Sequence, residues 1–287
     1  EDGGWIDRVD AYHPSNVVDH NANRSNTTLV RLAAIWAPND TWTVTPSVYY
    51  QDRNVNDVGN YWPLYSNPSA HKFVGANPTA RPSPDKFYLP ALKVEADLGP
   101  VRFISDTSYY HRDEVTGYDG TLYNLGFYQA LLGTGADIPL LDGDGVHTLV
   151  PGLEYRAPAS INNGQRNFVQ EFRLQSNDPG SKLFWTAGLF YATNKQDYLE
   201  QLHDPQLGDF MNAAYSLGYT TSPAIADYFV VGLGSNPRPC DPSPTPHCGE
   251  TVTGVDPQSS YFLRTHAKDE QTAIYGEATY AVSDELK

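Results

Sequence analysis

Short and long connections take turns along this chain, and that order restricts its fold more than any other feature. Seven stretches carry side chains of alternating character: 28–36, 42–51, 87–98, 101–112, 168–176, 183–198 and 271–280. In 42–51, Trp42, Val44, Pro46, Val48 and Tyr50 fall on one side of an extended backbone, and Thr43, Thr45, Ser47, Tyr49 and Gln51 on the other. A period of two is that of a β-strand with one apolar and one polar face. The connections 37–41, 99–100, 177–181 and 281–285 are short and rich in the Pro, Asn, Asp and Gly that turns use. Those at 52–84, 113–166 and 203–268 span about 35, 55 and 65 residues, well beyond ordinary loops. In an antiparallel meander, alternate connections lie at opposite ends. Every short turn therefore falls at one end of the sheet and every long loop at the other.

The faces add a second restriction. Leu92, Val94 and Ala96 alternate with Lys93, Glu95 and Asp97; Glu171 and Arg173 lie on a polar face, as does Glu277 opposite Ile274 and Ala278. Successive charges on an inward face are expensive in a dry core unless paired, and easy beside water. Apolar-out, polar-in strands with aromatic ends, short turns and long opposite loops are the pattern of an outer-membrane barrel. A strand of a soluble sandwich alternates too, but sandwiches do not sort their loops by end. The expectation is an all-β fold: one section of an antiparallel up-and-down transmembrane barrel covering 1–287, with about seven strands. Trp42, Val44, Val48, Leu92, Val94, Leu189 and Ile274 should point outward, with Lys93, Glu95, Glu171, Arg173 and Glu277 inward. No run of about 18 apolar residues encodes a transmembrane helix. Asp2–Asp7 reads as the end of a further strand, and short helices are expected within 123–132 and 204–217. Pro46 and Pro90 each remove a ladder donor, so a bulge is expected at both.

Composition narrows the function. A formal charge of −15 argues against a nucleic-acid partner. Cys240 and Cys248 lie close together in a Pro-rich stretch, which suggests a disulfide and an oxidising compartment. His247 is adjacent, but further ligands at zinc spacing are missing. Asp142-Gly143-Asp144-Gly145 suggests a turn more than a calcium loop, lacking the later carboxylates. No motif for a Ser-His-Asp set, a carboxylate pair or a phosphate loop is visible, so neither an enzyme nor a cofactor is expected. Candidate ligand contacts are Tyr61, Trp62 and Tyr65 in the first long loop and His111 and Arg112 at a strand top; a self-packed loop and a solvated rim are the plainer alternatives.

Gly4-Trp5-Ile6-Asp7, Phe168–Ser176, Trp185–Tyr191 and Tyr275–Tyr280 resemble strands of TonB-dependent outer-membrane receptors. The resemblance covers the expected strands and none of the long loops. It implies a barrel of about 22 strands, plugged by an N-terminal domain and coupled to the TonB energy complex. It also implies import of a scarce nutrient: a ferric siderophore, cobalamin, haem or a glycan. The chain departs from that pattern by lacking a plug and an energy-coupling box, and reads as an early-to-middle part of the barrel. A soluble or surface-anchored carbohydrate-binding β protein and an unplugged diffusion porin remain the alternatives.

Overall fold

A computed structural model describes residues 3–131, 141–178, 180–219, 256 and 258–282. Seven long strands form one sheet: β3 (Ser25–Ala33), β4 (Trp42–Val55), β6 (Ser83–Asp97), β7 (Val101–Asp119), β10 (Pro158–Ser176), β11 (Leu183–His203) and β12 (Ser259–Tyr280). Their order is β12-β11-β10-β7-β6-β4-β3, so each pairs with its sequence neighbours in this sheet, and every pairing is antiparallel. The sheet is open: among the described residues no strand joins β3 to β12. The all-β antiparallel meander is thus present, without closure.

Turn chemistry accounts for the tight end. Asn39 Oδ1 accepts from the Thr41 and Trp42 amides at 3.0 Å each. Gly99 takes a φ of +82°, which a glycine adopts without strain, and Asp97 Oδ1 accepts its amide at 3.0 Å. Asp178 Oδ1 accepts the Gly180 amide at 2.9 Å. Asn177 Nδ2 reaches across to Asp97 Oδ1 at 3.0 Å, fastening two neighbouring turns together.

Register assigns the faces, because directly opposed residues of antiparallel strands point to the same side. Trp42↔Ala96, Val44↔Val94 and Val48↔Pro90 join β4 to β6; Phe172↔Leu189 and Leu189↔Ile274 join β10, β11 and β12. The seven residues expected to face outward all share this apolar face. Leu92, Leu189 and Ile274 are 41 %, 53 % and 83 % exposed, so it is a bare surface rather than a core. Lys93, Glu95, Glu171, Arg173 and Glu277 share the opposite face. There Glu95 Oε1 lies 3.1 Å from Lys93 Nζ and 2.6 Å from Arg102 Nη2, and Glu171 Oε1 lies 3.0 Å from Arg173 Nη2. The Tyr275 hydroxyl donates to Glu171 from two strands away. Gly188, between them, makes this possible: a Cβ there would fall 2.2 Å from the Tyr275 ring.

Several expectations need correction. The strands run past their expected loop-side ends, β7 to Asp119, β10 from Pro158, β11 to His203 and β12 from Ser259. In Asn162-Asn163-Gly164-Gln165 both faces are polar, so no period survives, yet strands on either side complete the ladder. No bulge occurs at the prolines. The Pro46 carbonyl accepts the Ala34 amide at 3.1 Å but returns no bond, and pairing runs on in the same register to a Trp36↔Val44 bridge; at Pro90 the pairing of β6 with β7 skips two residues without a change of register. The N-terminal strand is not part of the large sheet. Asp7–Val9 forms β1, which pairs antiparallel with β2 (Val17–Asp19) and parallel with β5 (Val74–Gly75) in a small separate sheet.

The described parts of the long loops are packed. Together with the N-terminal segment they build a cap with its own core at the far end of the sheet. Helix α1 (Thr121–Leu131) buries Thr121, Asn124, Leu125, Tyr128 and Gln129, the i, i+3, i+4, i+7, i+8 face expected of a packed helix. Asp119 Oδ1 accepts the Thr121 amide at 2.9 Å at its start. Helix α2 (Leu207–Ser216) buries Leu207, Phe210, Met211 and Ala214 on one face. These pack with Ala11, Leu125, Val146, Leu149, Tyr155 and Leu202. Burial of each such large apolar side chain stabilises by roughly 1.5–3 kcal/mol. The hairpin of β8 (Leu141–Asp142) and β9 (Gly145–Val146) joins this core. Its Asp142 Oδ1 accepts the Asp144 amide and meets His147 Nε2, both at 2.8 Å, which makes it a turn. No cluster of three metal-ligating side chains occurs among the described residues. Cys240 and Cys248 lie outside the described residues, as does most of 281–285.

Candidate ligand cleft beneath the cap

The cap does not seal the polar face of the sheet. Between α1 and the loop-side ends of β7, β11 and β12 lies a cleft of about 420 Å³ lined by Tyr118, Tyr123, Asn124, Phe127, Tyr128, Glu200, Leu202, Ser260 and Tyr261. Tyr118, Glu200 and Tyr261 come from three different strands but share the polar face, the one that carries Glu95 and Glu171 lower down. Tyr123 and Phe127 stand one turn apart on α1, on the side turned away from the cap core. They are 74 % and 52 % exposed, and Tyr261 is 45 % exposed, so aromatic side chains line the opening. Among the described residues Glu200 is the only formally charged one on the lining. Its Oε1 accepts from the Tyr118 hydroxyl at 2.9 Å and its Oε2 from the Tyr198 hydroxyl at 2.8 Å. Burial, then the bond to Glu200 and its charge, push the Tyr118 hydroxyl well above the usual tyrosine range, so its proton stays on the phenol.

A buried carboxylate holds the cleft's rear wall. Asp204 is 3 % exposed and sits where β11 leads into α2. It accepts from Asn124 Nδ2 at 2.8 Å, from the Tyr128 hydroxyl at 3.3 Å and, closely, from the Tyr155 hydroxyl. Burial raises its pKa, outweighing these donors. Asn124 and Tyr128 thus face the cleft on one side and Asp204 on the other, fixing α1 over the sheet.

The residues expected from sequence to touch ligand are placed elsewhere. Tyr61 packs edge-on against Phe73 at 5.1 Å. Trp62 stacks on Tyr65 at 6.1 Å, over Val9, Val74 and Ala76, and its Nε1 donates to Asn77 Oδ1 at 3.2 Å. The Tyr65 hydroxyl donates to the Asp142 carbonyl at 2.6 Å, joining the first loop to the second. These three aromatics are therefore built into the cap. His111 and Arg112 lie in the middle of β7, not at its top, and point to opposite faces. His111 stacks on Tyr88 at 5.0 Å on the apolar side. Arg112 forms a two-pronged pair with Asp85 at 2.7 and 2.9 Å and meets Glu114 at 3.0 Å. The structure does not bring the five together.

Sequence scanning also missed a Ser-His-Asp chain. Ser160 Oγ lies 3.1 Å from His203 Nε2, and His203 Nδ1 lies 3.1 Å from Asp256 Oδ2. The geometry is that of a nucleophile, base and orienting acid. However, Ser160 lies near the start of β10 with strand partners on both sides, so the described backbone amides around it are engaged in the ladder. The chain serves to fasten residue 256 to the sheet. The protein matches no family model, no curated protein and no solved structure.

Proposed function

We propose that this chain is part of an outer-membrane, energy-coupled importer of the TonB-dependent kind, and that the cleft under the cap is its first contact with ligand. One observation carries this reading: a sheet with a bare apolar face and an ion-paired polar face has all its long loops gathered at one end, over an aromatic cleft that opens on the polar side. A bare face with residues such as Ile274 at 83 % exposure suits lipid, and hydrogen-bonded charges on the other suit a wet lumen. Among the described residues the 22-residue strand β12 and the strand β3 each leave one edge unpaired. Natural sheets cover such edges, which supports further strands that continue the wall to closure. On the apolar face, Gln170 accepts from Thr107 Oγ1 at 2.6 Å and donates to Ser105 Oγ at 3.0 Å, so this polar trio is satisfied internally, as lipid requires.

The test is fractionation and uptake with the full-length protein in its native host. The expected result is recovery in the outer-membrane fraction, with heat-dependent migration on gels and nutrient uptake that stops when the inner membrane is de-energised. Recovery as a monomer from detergent-free buffer would overturn the membrane reading. Uptake indifferent to de-energisation would replace the importer with a diffusion porin.

A further inference from the structure

We infer that the cleft under α1 selects an organic cation, an ammonium group carried on an apolar body, rather than an anionic ligand. Three features converge. First, among the described residues Glu200 is the sole formal charge on the lining, and neither Lys nor Arg lines the cleft to neutralise it. Second, among the described residues Glu200 makes no ion pair; its partners are two phenols, each donating to a different oxygen. That arrangement holds the carboxylate in place, with no cation among the described lining residues to offset it. An anionic chelate entering here meets repulsion with no compensating donor fork. Third, the rings of Tyr123 and Phe127 from α1 and those of Tyr118 and Tyr261 from the sheet line the same cleft. A cation is attracted to the π face of such rings. Donation of the Tyr118 hydroxyl to a carboxylate pushes electron density into its ring and strengthens that attraction. Aromatic walls over a carboxylate floor are therefore matched to a positive head, and about 420 Å³ leaves room for an attached apolar group. A neutral sugar would find rings to stack on, but it makes no use of the uncompensated charge.

The inference rests on the import reading only for what happens after capture. Binding is therefore measured on the purified full-length protein by calorimetry, using benzyltrimethylammonium, its uncharged isostere neopentylbenzene, benzoate and maltose. The cation is expected to bind at least about tenfold more tightly than the other three. Glu200→Gln keeps the side-chain shape and should weaken cation binding by about 10- to 100-fold, the worth of a charge-assisted contact, with neopentylbenzene unaffected. Phe127→Leu, on the exposed side of α1, should weaken the cation by a further factor of about 5. Equal affinity for the cation and its isostere, tighter binding of benzoate or maltose, or no cation binding by a folded protein each overturns the inference. None of these results bears on membrane location, and failed fractionation leaves cation binding standing.

Discussion

Asp204→Ala isolates what holds the cap on the sheet. The carboxylate accepts from Tyr155, Asn124 and Tyr128, whose residues are 0 %, 3 % and 4 % exposed. Without it, the Tyr155 hydroxyl still accepts from Asn124 at 3.3 Å but loses its acceptor, and Asn124 loses its shorter bond. Leaving two buried donors unmatched costs about 1–3 kcal/mol each. Against this stands the relief of no longer burying a carboxylate, the same burial that raises its pKa. The net expectation is a loss of about 2–4 kcal/mol in local cap stability. Hydrogen exchange of the full-length protein reads this directly: amides of α1 and α2 should exchange about 30- to 1,000-fold faster. Amides in the lower ladder, such as those between Phe172 and Leu189, should not change, because the sheet pairs without the cap. Unaltered protection of α1, or equal loss across cap and sheet, would refute the view that Asp204 is the fastening point.

Other consequences are testable. Because burial raises the folded pKa of Asp204, the protonated form is favoured in the folded cap; its stabilising effect is complete below about pH 4 and is lost as pH rises through the raised value. Local opening free energies of α1, corrected for intrinsic exchange, should fall over that window, and Asp204→Asn should flatten the profile; a rise with pH contradicts the assignment. Val94→Arg places a charge on the bare apolar face and should cost about 2–4 kcal/mol in unfolding of the full-length protein from membrane or detergent, against no change if that face meets water. Gly188→Ala should displace the Tyr275 ring and so mimic Tyr275→Phe, each removing a bond to Glu171 worth about 1.5–3 kcal/mol; denaturant curves in which the double variant sums the two single losses would disprove the shared cause. Arg112→Ala should destabilise the protein by about 1–3 kcal/mol through the orphaned Asp85, with ligand capture unchanged per folded molecule; lost capture with intact stability would restore Arg112 to the ligand site.

How much was legible in the chain depended on whether the signal was local. Strand alternation in 42–51 or 87–98, and the Asn, Asp and Gly of the turns, act between residues a few positions apart, so sequence reading located all seven strands, their antiparallel order and their two faces. Where both faces of a strand meet water or cap, as in 158–167 or 259–270, period two vanishes, and only hydrogen bonds from the neighbouring strands hold the backbone extended. The cap likewise lay beyond reach. Its core joins Ala11, Leu125, Tyr155 and Phe210, which no short-range pattern connects. Tyr61, Trp62 and Tyr65 read in sequence as a ligand shelf; that Phe73 packs on Tyr61, Val74 on Trp62 and Tyr65, and the Asp142 carbonyl takes the Tyr65 hydroxyl is decided only in the fold. The same limit applies to the cleft and to the Ser160, His203 and Asp256 chain. Tyr118, Glu200 and Tyr261 become neighbours only because register on three strands puts them at one height on one face, and register is a property of the paired sheet rather than of any strand alone.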